Sequence, residues 1–164
     1  VILITTSEEM LEKVQAEVDL QLIKLTRKDI SAKSLENSKL ILVNNKEEAM
    51  DLSNAYAPEH LIIETLDYAE LSKNVINAGS VFLGSYTPES AGDYASGTNH
   101  TLPTHGYAMA YNGVNLDSYN RKVTFQEITP EGIRQIGNAV EIMAENEHLD
   151  AHKNAMKLRV DDVK

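Results

Sequence analysis

Cysteine is absent from all 164 residues, which excludes disulfides, thiolate zinc sites and cysteine nucleophiles together. Positive charge is scarce: 15 Lys and Arg stand against 25 Asp and Glu, a net charge of −10 at pH 7. Electrostatic attraction to nucleic acid or to an anionic membrane surface is therefore not expected. No apolar run approaches the roughly 18 to 20 residues that a membrane span needs. No basic leader precedes the opening Val1-Ile2-Leu3-Ile4-Thr5, so no signal peptide is read there. Phosphate-cradling loops are lacking too, since no Gly-x-Gly-x-x-Gly follows a strand and no Walker motif occurs. The Gly-x-Ser-x-Gly elbow is missing as well, which leaves serine hydrolase chemistry without support. An acidic, cytoplasmic protein is the expectation. Its length suits one domain with a real core. The start inside an apolar β-branched run, with no initiator Met, points to a piece of a longer polypeptide.

What is present alternates between two periods. Val1 to Thr5 is continuously apolar and β-branched, the pattern of a buried strand. Thr6-Ser7-Glu8-Glu9 follows as a capping box with Thr6 at the cap, opening a helix through Met10, Leu11, Val14, Val18, Leu22 and Ile23. Strands are predicted at Lys39–Val43, Leu61–Ile63 and Ser80–Leu83, and helices at Lys46–Ala55 and Tyr68–Ala78. This β-α-β-α order predicts an α/β fold, a mostly parallel, Rossmann-like sheet with flanking helices.

The periodicity then stops. Gly84 to Asn120 holds five of the eight glycines, five of the seven tyrosines and two of the five histidines. A segment of that length without regular structure is usually functional or disordered, and its tyrosines and scarce charge favour a long binding loop over disorder. Lys122 to Ile128 alternates as a strand, Pro130 suits a first helical turn, and Glu131–Glu145 and Leu149–Leu158 read as helices. Residues 1–113 are thus expected to be part of an α/β catalytic domain carrying the loop, and 114–164 a C-terminal strand-helix tail.

Three constellations carry chemistry. Pro58-Glu59-His60 stands at a strand entry, where Glu59 and His60 form either an acid/base pair or a solvated carboxylate beside a packing imidazole. Gly92-Asp93-Tyr94-Ala95-Ser96-Gly97-Thr98-Asn99-His100 offers Asp93 and His100 as zinc donors, or else a turn in which Asp93 bonds backbone amides. His105, beyond Pro103, is not distinguished from an exposed loop histidine. Glu147-His148-Leu149-Asp150-Ala151-His152 places His148 and His152 four apart on one helical face, a spacing that suits a metal pair or a solvated surface.

Taken in order, Ala57-Pro58-Glu59-His60-Leu61, Ala78-Gly79-Ser80-Val81-Phe82-Leu83-Gly84, the run from Thr87-Pro88-Glu89-Ser90-Ala91-Gly92-Asp93-Tyr94 through His100 to Thr104, and Ala151-His152-Lys153-Asn154-Ala155 closely resemble histidinol dehydrogenase. The resemblance runs through nearly the whole chain and covers the C-terminal part of that enzyme, well under half of it. It implies a zinc-dependent, NAD-linked homodimer that oxidises L-histidinol through histidinaldehyde to L-histidine, the last step of histidine biosynthesis. By that resemblance His60 is the general base of the hydride transfers and Glu59 activates the water that attacks the aldehyde. Asp93 and His152 would ligate zinc, which orients histidinol through its imidazole and amino nitrogens. Glu147 would hold the substrate, with His60, Asp93 and His152 also touching it, and His100 would line the same pocket without an assigned role.

The resemblance gives His148 no ligand role. It places His152 and Glu147 of one subunit in the site that contains Asp93 and Glu59 of its mate. It also puts two further zinc ligands, a Gln and a His, and the NAD-binding segment upstream of Val1. The chain is then expected to carry half a zinc site and the acid/base pair. Two other readings are a non-catalytic fragment supplying folding and dimer contacts, and an unrelated zinc hydrolase built on His148 and His152.

Overall fold

The computed structural model describes residues 1–163. They form a mixed α/β structure in two compact units, Val1–Asn120 and a second that begins at Arg121. Among the described residues no helix is long and apolar enough to cross a membrane.

In the first unit, strand β1 (Ile2–Thr5) pairs in parallel with β2 (Lys39–Leu42), Ile2 opposite Lys39 and Thr5 opposite Leu42. The crossover between them contains α1 (Glu8–Leu22) and α2 (Lys28–Leu35). Ser7, not Thr6, caps α1: its backbone is extended and its Oγ accepts the Met10 N–H at 3.2 Å. Glu8 and Glu9 then lie in the first turn, where the helix dipole favours negative charge. Helix α2 was not foreseen, because its eight residues carry no side-chain cap that would mark a start.

Helix α3 (Lys46–Tyr56) is capped by Asn45, which accepts from the Glu48 N–H at 2.8 Å. It leads into the second parallel pair, β3 (His60–Ile63) with β4 (Ser80–Leu83), registered His60 to Ser80 and Ile62 to Phe82. Every pairing is parallel, as the alternation of elements requires, but among the described residues the four strands form two separate pairs. Leu40, Leu42 and Ile62 remain exposed on them, on strands of a type normally covered on both faces.

The crossover from β3 to β4 is shorter in helix than its sequence predicts. Helix α4 (Tyr68–Leu71) gives way to a 3-10 turn at Ser72–Asn74 and never reaches Ala78. The reason lies in α3. The Asn54 amide donates to the Asn74 carbonyl at 2.9 Å, and its oxygen accepts the Ile76 and Asn77 N–H groups at 2.8 and 3.3 Å. Asn77 returns the contact by donating to the Asn54 carbonyl at 2.9 Å. These backbone groups are satisfied by a side chain instead of a helical ladder, and the segment that delivers β4 is fixed to α3.

The stretch after β4 is irregular, as expected, apart from a short helix α5 (Glu89–Tyr94) and 3-10 turns at Tyr107–Met109 and Leu116–Tyr119. In the second unit, Lys122–Ile128 forms no strand. Val123, Phe125 and Ile128 are exposed, and alternation alone does not make a strand without a neighbour to pair with. Two helices follow, α6 (Pro130–Asn146) and α7 (Asp150–Asp162). Thr129 caps α6 by accepting the Gly132 N–H at 3.1 Å. Buried Gly137 lets the pair approach closely, since a Cβ there would stand 2.2 Å from Val160 Cγ2.

Asn54→Ala removes three hydrogen bonds at once, each worth about 1 kcal/mol net. The expected outcome is a loss of roughly 2 kcal/mol in urea unfolding, and a loss below about 0.5 kcal/mol would show that Asn54 does not hold the crossover.

Candidate active site

The site is assembled where β3 begins. Ala57 ends α3 in the left-handed region at φ 51° while only 1 % exposed, donating its N–H to the Ser53 carbonyl at 2.9 Å. That turn, followed by Pro58, redirects the chain so that Glu59 and His60 enter β3. The Pro58 and Glu59 carbonyls accept the Gly79 and Ser80 N–H groups, both at 2.9 Å. Gly79 lies so close that a Cβ would meet the Glu59 carbonyl oxygen at 2.6 Å. Glycine is needed here for the approach of two backbones.

Helix α5 brings the second half. Asp93 follows Glu89 by four residues, so both carboxylates project from one face of the helix. Its buried Gly92 rests on Phe82 of β4, which is 4 % exposed. A Cβ at position 92 would lie 2.6 Å from the Phe82 ring. Thr98 closes the turn after the helix by donating its hydroxyl to the Gly92 carbonyl at 3.1 Å.

His60, Glu89 and Asp93 thereby converge, each offering one ligand-type atom within 4.8 Å of the others. His60 Nδ1 is 3.7 Å from Glu89 Oε1, and its ring sits 5.9 Å from that of Phe82 at a tilt of 42°. Its Nε2 is buried and has no hydrogen-bond partner among the described residues. Asp93 Oδ1 lies 3.0 Å from Nδ1 of the exposed His100. That hydrogen bond, then the Asp93 charge, raises the His100 pKa above its ordinary 6.5, and the Glu59 and Glu89 carboxylates add to the shift. Three carboxylates and two imidazoles thus share one electrostatic neighbourhood. Imidazole and carboxylate oxygen are donors that zinc accepts, so the residues present fit a zinc ion in chemistry.

A cavity of about 700 Å³ opens elsewhere in the first unit, between Gly79, Ser80, Thr98, Asn99, Leu102 and Tyr119. None of the three converging side chains lines it. His105 lies in the loop in a left-handed conformation, with Nδ1 2.9 Å from the hydroxyl of Thr104, and joins no cluster.

The remaining histidines belong to the second unit. His148 is not on a helix: it occupies the turn between α6 and α7 at φ 58°, whereas His152 lies within α7. The spacing of four therefore does not place the two on one helical face, and the helical metal pair is corrected. Glu147 closes α6, its N–H donating to the Met143 carbonyl at 3.1 Å. Glu89 is the residue that sequence reasoning assigned no role. Its position one turn before Asp93 was the available sign.

A family model described as histidinol dehydrogenase matches residues 1–160. Histidinol dehydrogenase of Bacteroides thetaiotaomicron is 67 % identical over 162 residues, 99 % of this chain and 38 % of its own length. That of Campylobacter jejuni is 49 % identical over 100 % of this chain and 38 % of its own. A histidine biosynthesis trifunctional protein of Saccharomyces cerevisiae is 48 % identical over 96 % of this chain and 20 % of its own length. The crystal structure of histidinol dehydrogenase from Elizabethkingia anophelis is similar at a TM-score of 0.86 and 48 % identity, over 99 % of this chain and 37 % of that one. The chain thus spans about 38 % of the length of the histidinol dehydrogenases it matches. An unrelated zinc hydrolase built on His148 and His152 is excluded by these matches.

Gly92→Ala forces a methyl against the Phe82 ring, whereas Gly97, at φ 89°, has nothing within 4 Å of an added Cβ. Gly92→Ala is expected to cost about 2–3 kcal/mol by overpacking, and Gly97→Ala about 1 kcal/mol from backbone strain alone. Equal losses in denaturant unfolding would contradict the role of Phe82. By the extent and order of these matches, the chain belongs to the histidinol dehydrogenase family.

Proposed function

We propose that the whole protein oxidises L-histidinol to L-histidine in two NAD-linked steps through histidinaldehyde, and that this chain supplies the acid/base pair and part of the metal site. The observation that carries the reading is the convergence of His60 with Asp93 beside Glu89, in a chain of this family. The proposed working form is a cytoplasmic homodimer. His152 and Glu147 of one copy would complete the site holding Asp93 and Glu59 of the other, a reading supported by the resemblance.

Each residue has a distinct task. His60 removes the proton of the substrate hydroxyl as the first hydride leaves, and again removes a proton in the second oxidation. Glu59 takes the proton of the water that adds to the aldehyde, generating the hydrated form that the second hydride transfer consumes. Asp93 and His152 would hold zinc, and Glu147 the substrate beside it. Zinc, when bound, supplies a template that orients histidinol through its nitrogens. NAD, bound outside this chain, supplies the hydride acceptor.

In the full-length enzyme, Glu59→Gln is expected to slow the aldehyde oxidation by about 100-fold or more while slowing the alcohol oxidation far less. Histidinaldehyde and histidinol assayed separately as substrates measure this. Unchanged histidine formation from histidinaldehyde would remove Glu59 from the mechanism.

A further inference from the structure

His100 has no task in the steps above, yet its imidazole meets the Asp93 carboxylate. Helix α5 ends just after Asp93, and the chain turns back on it. The Ser96 N–H donates to the Ala91 carbonyl at 2.8 Å, Gly97 takes a left-handed φ of 89°, and the Thr98 hydroxyl donates to the Gly92 carbonyl at 3.1 Å. The Asn99 side chain then accepts the Thr101 N–H at 2.6 Å, a turn that asparagine favours. These bonds fix the backbone on both sides of His100, whose Nδ1 stands 3.0 Å from Asp93 Oδ1.

A carboxylate accepts and does not donate, so at that distance the imidazole nitrogen carries the proton and His100 is the donor. Among the described residues this is the only hydrogen bond that either side chain makes. The Asp93 side chain is 17 % exposed and that of His100 75 %. The bond therefore holds a largely covered carboxylate by one oxygen, from its solvent side, and leaves the second oxygen open to a metal. A pair with one exposed partner adds little to folding stability, so the consequence of the bond falls on what Asp93 binds.

We propose that His100 is a positioning residue for zinc: it orients the Asp93 carboxylate through one oxygen and raises the affinity of the site, acting only through Asp93. The inference rests on the reading of Asp93 as a zinc ligand, and its test separates the two. Full-length enzyme would carry His100→Phe, His100→Asn, Asp93→Asn and the double change Asp93→Asn with His100→Phe. Zinc affinity is measured for each by competition with a chelating indicator, together with thermal unfolding of the zinc-free form. His100→Phe is expected to weaken zinc binding about 10–100-fold, the usual loss when the hydrogen-bond partner of a metal ligand is removed. His100→Asn, whose amide nitrogen can take the place of Nδ1, recovers part of that affinity. Unfolding of the zinc-free form changes little in either. The double variant binds zinc no more weakly than Asp93→Asn alone, because a residue acting only through Asp93 has nothing left to orient.

An unchanged zinc affinity in His100→Phe, or additive losses in the double variant, would each overturn the proposal. If Asp93→Asn keeps full zinc affinity, the ligand assignment itself fails, and the positioning role falls with it. Should His100→Phe not fold, nitrogen-15 NMR of the neutral His100 ring in the unchanged enzyme reads the donor directly. Nδ1–H is expected, and Nε2–H would overturn the proposal.

Discussion

Phe82 lies beneath both halves of the site. Its ring is buried in β4, sits 5.9 Å from the His60 ring, and leaves no room for a side chain at Gly92. The first contact follows from strand geometry: with His60 opposite Ser80 and Ile62 opposite Phe82, His60 and Phe82 are two residues apart along one face of the pair. The second allows α5 to lie directly on the sheet, turning Glu89 and Asp93 toward His60. Burying a phenylalanine is worth about 1.5–3 kcal/mol, so the contact that places the functional groups also belongs to the small core of the unit. Chemistry and packing are coupled through one side chain.

The electrostatic character follows from what is gathered around that ring. Glu59, Glu89 and Asp93 act together on His100, and their effect on its titration records their closeness. Among the described residues the charges that act on His100 are all acidic, while Lys46 pairs with Asp67 at 2.5 Å and Lys73 with Glu70 at 2.5 Å. A concentration of negative charge with interleaved imidazoles attracts a divalent cation.

Much of the fold was legible in the chain because it is written locally. The apolar β-branched runs of β1 and β2 and the caps Asn45 and Thr129 are signals within a few residues of the elements they mark. The features that escaped are written at a distance. Helix α4 stops because Asn54, some twenty positions earlier, captures the backbone at Asn74, Ile76 and Asn77. Lys122–Ile128 has the alternation of a strand but no neighbour to pair with. His148 and His152 have helical spacing, yet the chain turns between them. In the site, Glu59, His60 and Asp93 were visible through residue type and family resemblance. Glu89 was not, because an acidic residue after Pro88 is also what any helix start prefers.

The central claim is a division of labour in which Asp93 serves the metal while His60 serves the proton. Anomalous diffraction at the zinc edge from crystals of the full-length enzyme with histidinol tests it directly. The account predicts zinc within about 2.0–2.2 Å of an Asp93 carboxylate oxygen, with the His60 imidazole outside the coordination sphere and within hydrogen-bond reach of the substrate carbinol. Zinc held by His60 and Glu89 together with Asp93 would contradict it.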